Sequence, residues 1–63
     1  MLNWKRGLDG SYLNTLDGKF VLKDDFESLF GNENTYEGLM NHPNVTNGWK
    51  EIFKHWKNKG ILN

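Results

Sequence analysis

Apolar residues recur at spacings of three and four along the second half of the chain, between Lys23 and Gly60. They form three runs, which are Leu22, Phe26, Leu29 and Phe30, then Tyr36, Leu39 and Met40, then Trp49, Ile52, Phe53 and Trp56. Such spacing places each run on one face of a helix. The pattern therefore predicts two short helices separated at Gly31 and a longer amphipathic third helix.

Capping residues set the expected bounds of these three helices. The start signals are Asp24 with Glu27 three positions later, Asn34 with Glu37, and Thr46 or Asn47 before the third run. The stop signals are Gly31, Pro43 and Gly60. Short polar side chains accept hydrogen bonds from the first free amides of a helix, while glycine and proline end it. We expect the third helix to cover residues 49–58.

The first half of the chain carries the tripeptide Leu-Asp-Gly twice, at residues 8–10 and 16–18. Asp-Gly favours a tight turn, and the second copy lies between two strand-like segments, residues 12–16 and 19–22. If Asp17-Gly18 is the two-residue loop, Leu13 opposes Leu22 and Thr15 opposes Phe20. This register places those four side chains towards the helices, with Tyr12, Asn14, Lys19 and Lys23 on the other side. We expect a short strand within residues 1–6, because Leu2 and Trp4 alternate with polar residues there.

Length and composition fit one small α+β domain spanning residues 1–63, in which a β-hairpin packs on three short helices. Nine aromatic residues supply most of its core. The chain has no cysteine, no apolar run long enough for a membrane span and no signal-peptide core, so we expect a soluble cytoplasmic protein. Nine Asn and seven Lys with no Ala indicate an A/T-rich coding sequence, as in a phage or mobile element.

The step from the first helix to the second has the ingredients of a helix-turn-helix, because a short turn containing glycine joins the two. In that interpretation the helix at residues 35–41 lies in the major groove of DNA. Thr35, Gly38 and Asn41 then face the bases, and an Asn side chain can pair bidentately with adenine. The alternative is a helical hairpin that serves packing alone.

Lysines 50, 54 and 57 follow the spacing i, i+4, i+7 on one flank of the third helix. Such a row can neutralise two or three phosphates or face an acidic protein. Alternatively, Lys50, Lys54 and Lys57 cover the edge of the core with their aliphatic stems. The formal net charge is zero, which argues against a protein dominated by phosphate contacts and leaves room for a local basic face.

Motifs for metal binding or catalysis are not found in the sequence. His42 and His55 are thirteen residues apart and there is no cysteine, so no zinc motif is present. Asp24 and Asp25 are explained by a charged helix start. We therefore expect a non-catalytic protein with no cofactor and no metal.

The run YLNTLDGKF…DDFESLFGNENTYEGLMN…NGWKEI resembles the small helix-turn-helix DNA-binding modules of phage and intron homing endonucleases. Those modules begin with a glycine-turned hairpin, continue through a short helix ending in glycine, add a second helix and close near a Gly-Trp pair. Here these features correspond to residues 12–22, Gly31 and Gly48-Trp49. The resemblance implies DNA binding, and the sequence contains no nuclease motif that would support cleavage.

A second resemblance covers eight residues, DFESLFGN at positions 25–32. This segment is similar to one in the small uracil-DNA glycosylase inhibitors of phages. In that family the Phe and Glu of the segment engage the enzyme, which implies that Phe26 and Glu27 bind protein. Helical periodicity instead places Phe26 in the core.

These observations lead to one main functional hypothesis and two alternatives. The main hypothesis is a DNA-binding module that uses Thr35 and Asn41 for the bases and the three lysines for phosphates. The first alternative is a phage-type inhibitor that docks on a host or defence enzyme, such as a DNA-repair enzyme or a nuclease. The second is a structural or assembly subunit, for example of a homodimer, whose exposed apolar residues lie in the interface between subunits.

Overall fold

A computed structural model describes residues 2–62 of the chain. Its elements are β1 (Lys5–Gly7), β2 (Gly10–Asn14), β3 (Phe20–Leu22), α1 (Lys23–Phe30), α2 (Tyr36–Met40) and α3 (Asn47–Asn58). The strands form an antiparallel sheet in the order β1-β2-β3. The predicted α+β architecture is confirmed, with the difference that the N-terminal half contains two successive hairpins.

The aromatic core lies between the sheet and the helices. Its buried members are Leu2, Leu13, Phe26, Phe30, Leu39, Phe53, Trp56 and Leu62. Phe53 and Trp56 expose 0% of their surface, and Phe26 exposes 1%. The indole nitrogen of Trp56 donates a 2.7 Å hydrogen bond to the carbonyl oxygen of Asn14, which connects α3 to β2. The predicted inward stripes of α2 and α3 are thus confirmed, and that of α1 is confirmed for Phe26 and Phe30, whereas Leu29 is exposed and Leu22 belongs to β3.

The register of the second hairpin differs from the predicted one by one residue. Tyr12 pairs with Leu22, Leu13 with Val21, and Asn14 with Phe20. The cause is a β-bulge beside the turn. The amide of Thr15 donates to the carbonyl of Lys19 (2.8 Å), and the amide of Lys19 donates to the carbonyl of Leu16 (3.1 Å). Thr15 and Leu16 therefore both oppose Lys19, which adds one residue to the first strand.

The shifted register changes which side chains face the core, because successive residues of a strand point to opposite sides. Leu13 and Val21 face the helices. Phe20 and Leu22 lie with Tyr12 on the outer face of the sheet. The prediction that Phe20 and Leu22 face inward with Leu13 was therefore wrong.

The first hairpin has a different turn. Gly7 pairs with Gly10, so Leu8 and Asp9 form the two-residue loop and Leu8 is fully exposed. Of the strand predicted at residues 1–6, Met1 lies outside the described residues and only Lys5 and Arg6 belong to β1. Leu2 and Trp4 precede the strand and pack into the core, where the Trp4 and Phe26 rings meet edge to face at 5.5 Å.

Two of the three helix caps differ from the prediction, and α3 begins at Asn47, two residues before its predicted start. α1 begins directly after Leu22, and no side chain caps it, so Asp24 lies within its first turn. The hydroxyl of Thr35, not the Asn34 side chain, caps α2. Thr46 caps α3 as predicted, by accepting a hydrogen bond from the amide of Trp49.

The helix ends follow the predicted stop signals more closely. α1 ends at Phe30, directly before Gly31, and α2 ends at Met40, before Pro43. After α3, the amide of Gly60 bonds to the Lys57 carbonyl and the amide of Ile61 bonds to the Trp56 carbonyl. With Gly60 at φ 77°, this pattern is a Schellman motif. It turns the chain back so that Leu62 enters the core.

Candidate nucleic-acid interface

Lys50, Lys54 and Lys57 form a row on the solvent-facing flank of α3, called here the lysine row. Ideal helix geometry places the three within an arc of about 60° and spreads them over about 10 Å of the axis. Lys54 and Lys57 are exposed, and Lys50 is half-buried. The row is therefore long enough to meet two or three phosphates of one DNA strand.

Lys57 connects the lysine row to α2. Its Nζ lies 4.5 Å from the centroid of the Tyr36 ring, at cation–π distance. The side chain thus covers part of the core edge, as the alternative interpretation of the lysines predicts, while the residue remains exposed. The two interpretations of Lys57 are compatible.

A shallow groove between α2 and α3 brings together three of the five predicted DNA-binding residues. The residues lining this α2–α3 groove are Thr35, Tyr36, Glu37, Met40, Asn41 and Lys57. The packing of α2 on α3 creates the groove, whereas α1 packs on β2 and β3. Lys50 and Lys54 lie further towards the start of α3, so they extend the charged surface away from the groove.

Thr35 and Asn41 both make hydrogen bonds to their own segment. The hydroxyl of Thr35 accepts from the amide of Gly38 (3.1 Å) and donates to Oε1 of Glu33 (2.9 Å). Nδ2 of Asn41 donates to the carbonyl of Glu37 (2.9 Å). The Thr35 hydroxyl is thus used by the helix start, while Asn41 keeps its amide oxygen and one N–H for another partner.

Glu33 organises the start of α2. One carboxylate oxygen accepts hydrogen bonds from the amides of Asn34 and Thr35 at 3.2 Å each, in addition to the Thr35 hydroxyl. These bonds, those from Thr35 foremost, lower the pKa of the Glu33 carboxyl below its usual range. The same carboxylate lies over Gly38, where any Cβ would collide with it. Gly38 is half-buried beside this carboxylate, and its role in facing DNA bases stays a prediction.

Charge is distributed unevenly along this neutral chain. The segment from residue 24 to residue 37, called here the acidic stretch, carries Asp24, Asp25, Glu27, Glu33 and Glu37 and no basic side chain. The segment from residue 47 to residue 59, which contains α3, carries four lysines and one glutamate. A phosphate backbone would approach the α3 side and avoid the acidic stretch.

Phe26 cannot contact a partner, contrary to the role implied by the inhibitor resemblance. It is buried, and its ring lies 4.9 Å from that of Phe30 and 6.0 Å from that of Trp56. Glu27 is exposed, as binding would require. Helical periodicity correctly placed Phe26 in the core, since it lies on the face of α1 that packs against the sheet and α3.

Among residues 2–62, no three His, Asp or Glu side chains lie close enough to hold a metal ion. His42 accepts a hydrogen bond from the amide of Asn44 at Nδ1 (3.1 Å) and packs edge-on against Phe30. Its surroundings are those of a structural residue at the end of α2. Over the same residues, no helix has both the length and the apolar character of a membrane span.

Sequence reasoning missed the apolar outer face of the sheet. Leu8 is fully exposed and Phe20 is 60% exposed, and they are the most exposed large apolar residues between residues 2 and 62. The signal that could have revealed this face was the apolar run Phe20-Val21-Leu22, which must place apolar side chains on both sides of a strand.

Comparisons with protein-family models, characterised proteins and solved structures found no match to this chain, so its function must be argued from the residues above.

Proposed function

We propose that this chain is a small non-catalytic module that binds DNA mainly through phosphates, using the lysine row and the adjoining α2–α3 groove. The observation that carries the proposal is the convergence of Thr35, Asn41 and Lys57 on one groove, with Lys50 and Lys54 continuing the charge along α3. The two exposed lysines of this surface attract phosphate by simple electrostatics.

Thr35 and Asn41 use most of their hydrogen-bonding groups within their own segment, so we expect the chain to bind DNA with little preference for base sequence. The hydroxyl of Thr35 is used in capping, and Asn41 offers one amide oxygen and one N–H to a base. The carboxylates of Glu33 and Glu37 border the same surface and repel phosphates. Phosphate contacts therefore supply most of the binding free energy, and Asn41 contributes at most one base contact.

Fluorescence anisotropy with a labelled DNA duplex tests this proposal. The logarithm of the affinity should fall against the logarithm of the salt concentration with a slope of about −2 to −3, one unit for each lysine that neutralises a phosphate. Lys54→Glu should weaken binding by about tenfold at low salt.

Arg6→Glu is the matched control, because it makes the same change in net charge on β1, away from α3. It should change the affinity by less than about threefold. The lysine row would be eliminated as the DNA-binding surface by either of two results. One is an equal loss of DNA affinity in both variants, and the other is an unchanged DNA affinity in Lys54→Glu.

A second candidate function follows from the acidic stretch. The acidic stretch itself carries five carboxylates and no basic side chain, and with Glu27 exposed it complements the basic cleft of a host or defence enzyme that handles DNA. In this case the chain acts as an inhibitor by occupying that cleft.

Pulldown from a host lysate, with and without nuclease treatment, separates the two functions. A DNA-binding module loses its captured material after nuclease treatment. An inhibitor retains a stoichiometric protein partner that survives moderate salt, and Glu27→Lys releases it. Loss of the captured protein on nuclease treatment would reject the inhibitor function.

A further inference from the structure

Asn47 and Gly48 form the only Asn-Gly dipeptide of the chain, and they are the first two residues of α3. Asparagine is one of the thermally labile residues of proteins, because the backbone nitrogen of the next residue can attack its side-chain carbonyl carbon. Glycine in that next position hinders the attack least, since it has no Cβ. The other asparagines between residues 2 and 62 precede larger residues, so their side chains are better protected.

The amide of Gly48 is accessible for this reaction. In the first turn of α3, the amide of Trp49 donates to the Thr46 hydroxyl (3.3 Å) and the amide of Lys50 donates to the Thr46 carbonyl (2.9 Å). The amide of Gly48 has no such partner in the turn that precedes the helix. Asn47 and Gly48 are both exposed. Apart from chain neighbours and the helix backbone, the atom nearest to a Cβ built on Gly48 is Oγ1 of Thr46, at 3.9 Å.

The start of α3 also permits the backbone rotation that the reaction needs. Ring closure requires Asn47 to leave the helical conformation, and this rotation breaks the two hydrogen bonds to Thr46. One of them, from Trp49, is long at 3.3 Å. Gly48 has a low helix propensity, which favours opening of the same turn. Helix ends open at a much lower free energy than buried elements do, so the folded chain reaches the reactive conformation without global unfolding.

We propose that Asn47 is a site of spontaneous deamidation and that the product weakens DNA binding by the lysine row. The deprotonated backbone nitrogen of Gly48 attacks Cγ of Asn47 and forms a cyclic succinimide. The bond between Cγ and Nδ2 breaks, and Nδ2 leaves as ammonia with the proton that the Gly48 nitrogen gave up, carried by water. Water then opens the ring. Its attack on Cγ gives aspartate, and its attack on the backbone carbonyl carbon gives isoaspartate, in which the chain continues through Cγ.

The new carboxylate lies at the N-terminal end of the lysine row. Asn47, Lys50 and Lys54 follow the spacing i, i+3, i+7, which places them on one flank of α3. An acid that precedes a lysine by one helical turn is in the favourable orientation for an ion pair, so the carboxylate competes with phosphate for Lys50. It also adds a negative charge to a chain whose formal net charge is zero. The effect on DNA rests on the proposed function, whereas the deamidation does not.

Peptide mapping by mass spectrometry on the folded chain tests the deamidation. During incubation at mildly alkaline pH, the peptide that contains Asn47 should show the exchange of NH2 for OH before any other asparagine peptide does. Gly48→Ala should slow this exchange at least about tenfold, because its Cβ hinders the nitrogen and its higher helix propensity keeps the turn closed. Equal rates in the wild type and Gly48→Ala, or earlier conversion of another asparagine, would overturn the assignment.

Fluorescence anisotropy with the labelled duplex tests the consequence for DNA binding. Asn47→Asp reproduces one product and should bind about threefold more weakly than the wild type at low salt. This loss is smaller than that of Lys54→Glu, which reverses a charge rather than adding one. Aspartate in the first turn stabilises a helix, so unfolding does not account for the loss.

Asn14→Asp is the matched control, because it makes the same exchange at an exposed position on β2. It should leave the DNA affinity unchanged. If Asn47→Asp binds as tightly as the wild type while Lys54→Glu binds weakly, the effect of deamidation on DNA binding is refuted. If neither variant binds more weakly, the DNA-binding function of the lysine row fails as well, and the mass spectra still decide the deamidation.

Discussion

The two Leu-Asp-Gly tripeptides of this chain adopt different turns. In the first, Leu8 and Asp9 form the loop and Leu8 is fully exposed. In the second, Asp17 and Gly18 form the loop with φ values of 57° and 74°, and a bulge precedes them. The same three residues thus occupy different positions relative to the turn, so local sequence alone does not determine the hairpin.

The second hairpin differs from the first in its connection to the core. Leu13 and Val21 pack inward from its two strands, and the indole of Trp56 bonds to Asn14 just before its bulge. All three residues of β1 are exposed. Core contacts therefore fix the register of the second hairpin. In the first hairpin, where all residues of β1 are exposed, the short strands adopt a two-residue loop.

Removing the anchor of the second hairpin should have the largest effect. Trp56→Ala is expected to cost about 3–5 kcal/mol, because it removes a fully buried ring and leaves the Asn14 carbonyl without its partner. A chain of 63 residues has a total stability of roughly 3–9 kcal/mol, so this variant should lose about a third of its stability or more. Far-UV circular dichroism and urea unfolding measure the loss.

Trp4→Ala is the comparison variant for the first hairpin. Trp4 is half-buried and precedes β1, so its removal should cost less, about 1–3 kcal/mol. Equal losses for the two tryptophans would show that both hairpins depend on the core to the same extent.

Alanine at the second turn should have an intermediate effect. Gly18→Ala should cost about 1–2 kcal/mol, because a Cβ at φ 74° is strained although the space around it is open. The same substitution at Gly48, inside the first turn of α3, should stabilise the chain by up to about 1 kcal/mol. Thermal unfolding of both variants gives the sign, and stabilisation by Gly18→Ala would contradict the turn geometry described above.

The two leucines of the repeated tripeptide should show a smaller difference. Leu16 is half-buried beside Trp49 and Ile52, so Leu16→Ala should cost about 1 kcal/mol. Leu8→Ala should change the free energy of unfolding by less than about 0.5 kcal/mol. Urea unfolding at concentrations where the chain is monomeric measures both, and a larger loss at Leu8 would reverse the comparison.

Helical periodicity predicted most of the core from sequence, including the burial of Phe26, Phe53 and Trp56. The register of the second hairpin was not predictable from the turn signal. β3 is followed at once by α1, so the docking of α1 through Phe26 and Phe30 determines which side chains of β3 face inward. The bulge at Thr15 and Leu16 adds the one residue that allows the Asp17-Gly18 turn to connect β2 and β3 in the register set by the core.

The candidate site was predictable to a similar extent. The spacing of Lys50, Lys54 and Lys57 placed them on one flank of α3, because helix geometry alone decides this. The contact between Lys57 and Tyr36 depends on how α2 packs on α3, which no local pattern encodes. The capping of α2 by Thr35 likewise depends on the carboxylate of Glu33, which binds the residues that precede the helix.

Hydrogen exchange should reveal the smallest difference between the hairpins, one that needs no substitution. Each hairpin has three paired positions, so backbone pairing alone predicts similar protection. Because all residues of β1 are exposed while Val21 of β3 packs against the core, the bonded amides of β1 should exchange about tenfold faster than those of β3, equivalent to about 1.4 kcal/mol in opening free energy. Equal protection, measured by NMR on the monomeric chain, would mean that Leu2 and Trp4 hold β1 as firmly as Leu13 and Trp56 hold β3.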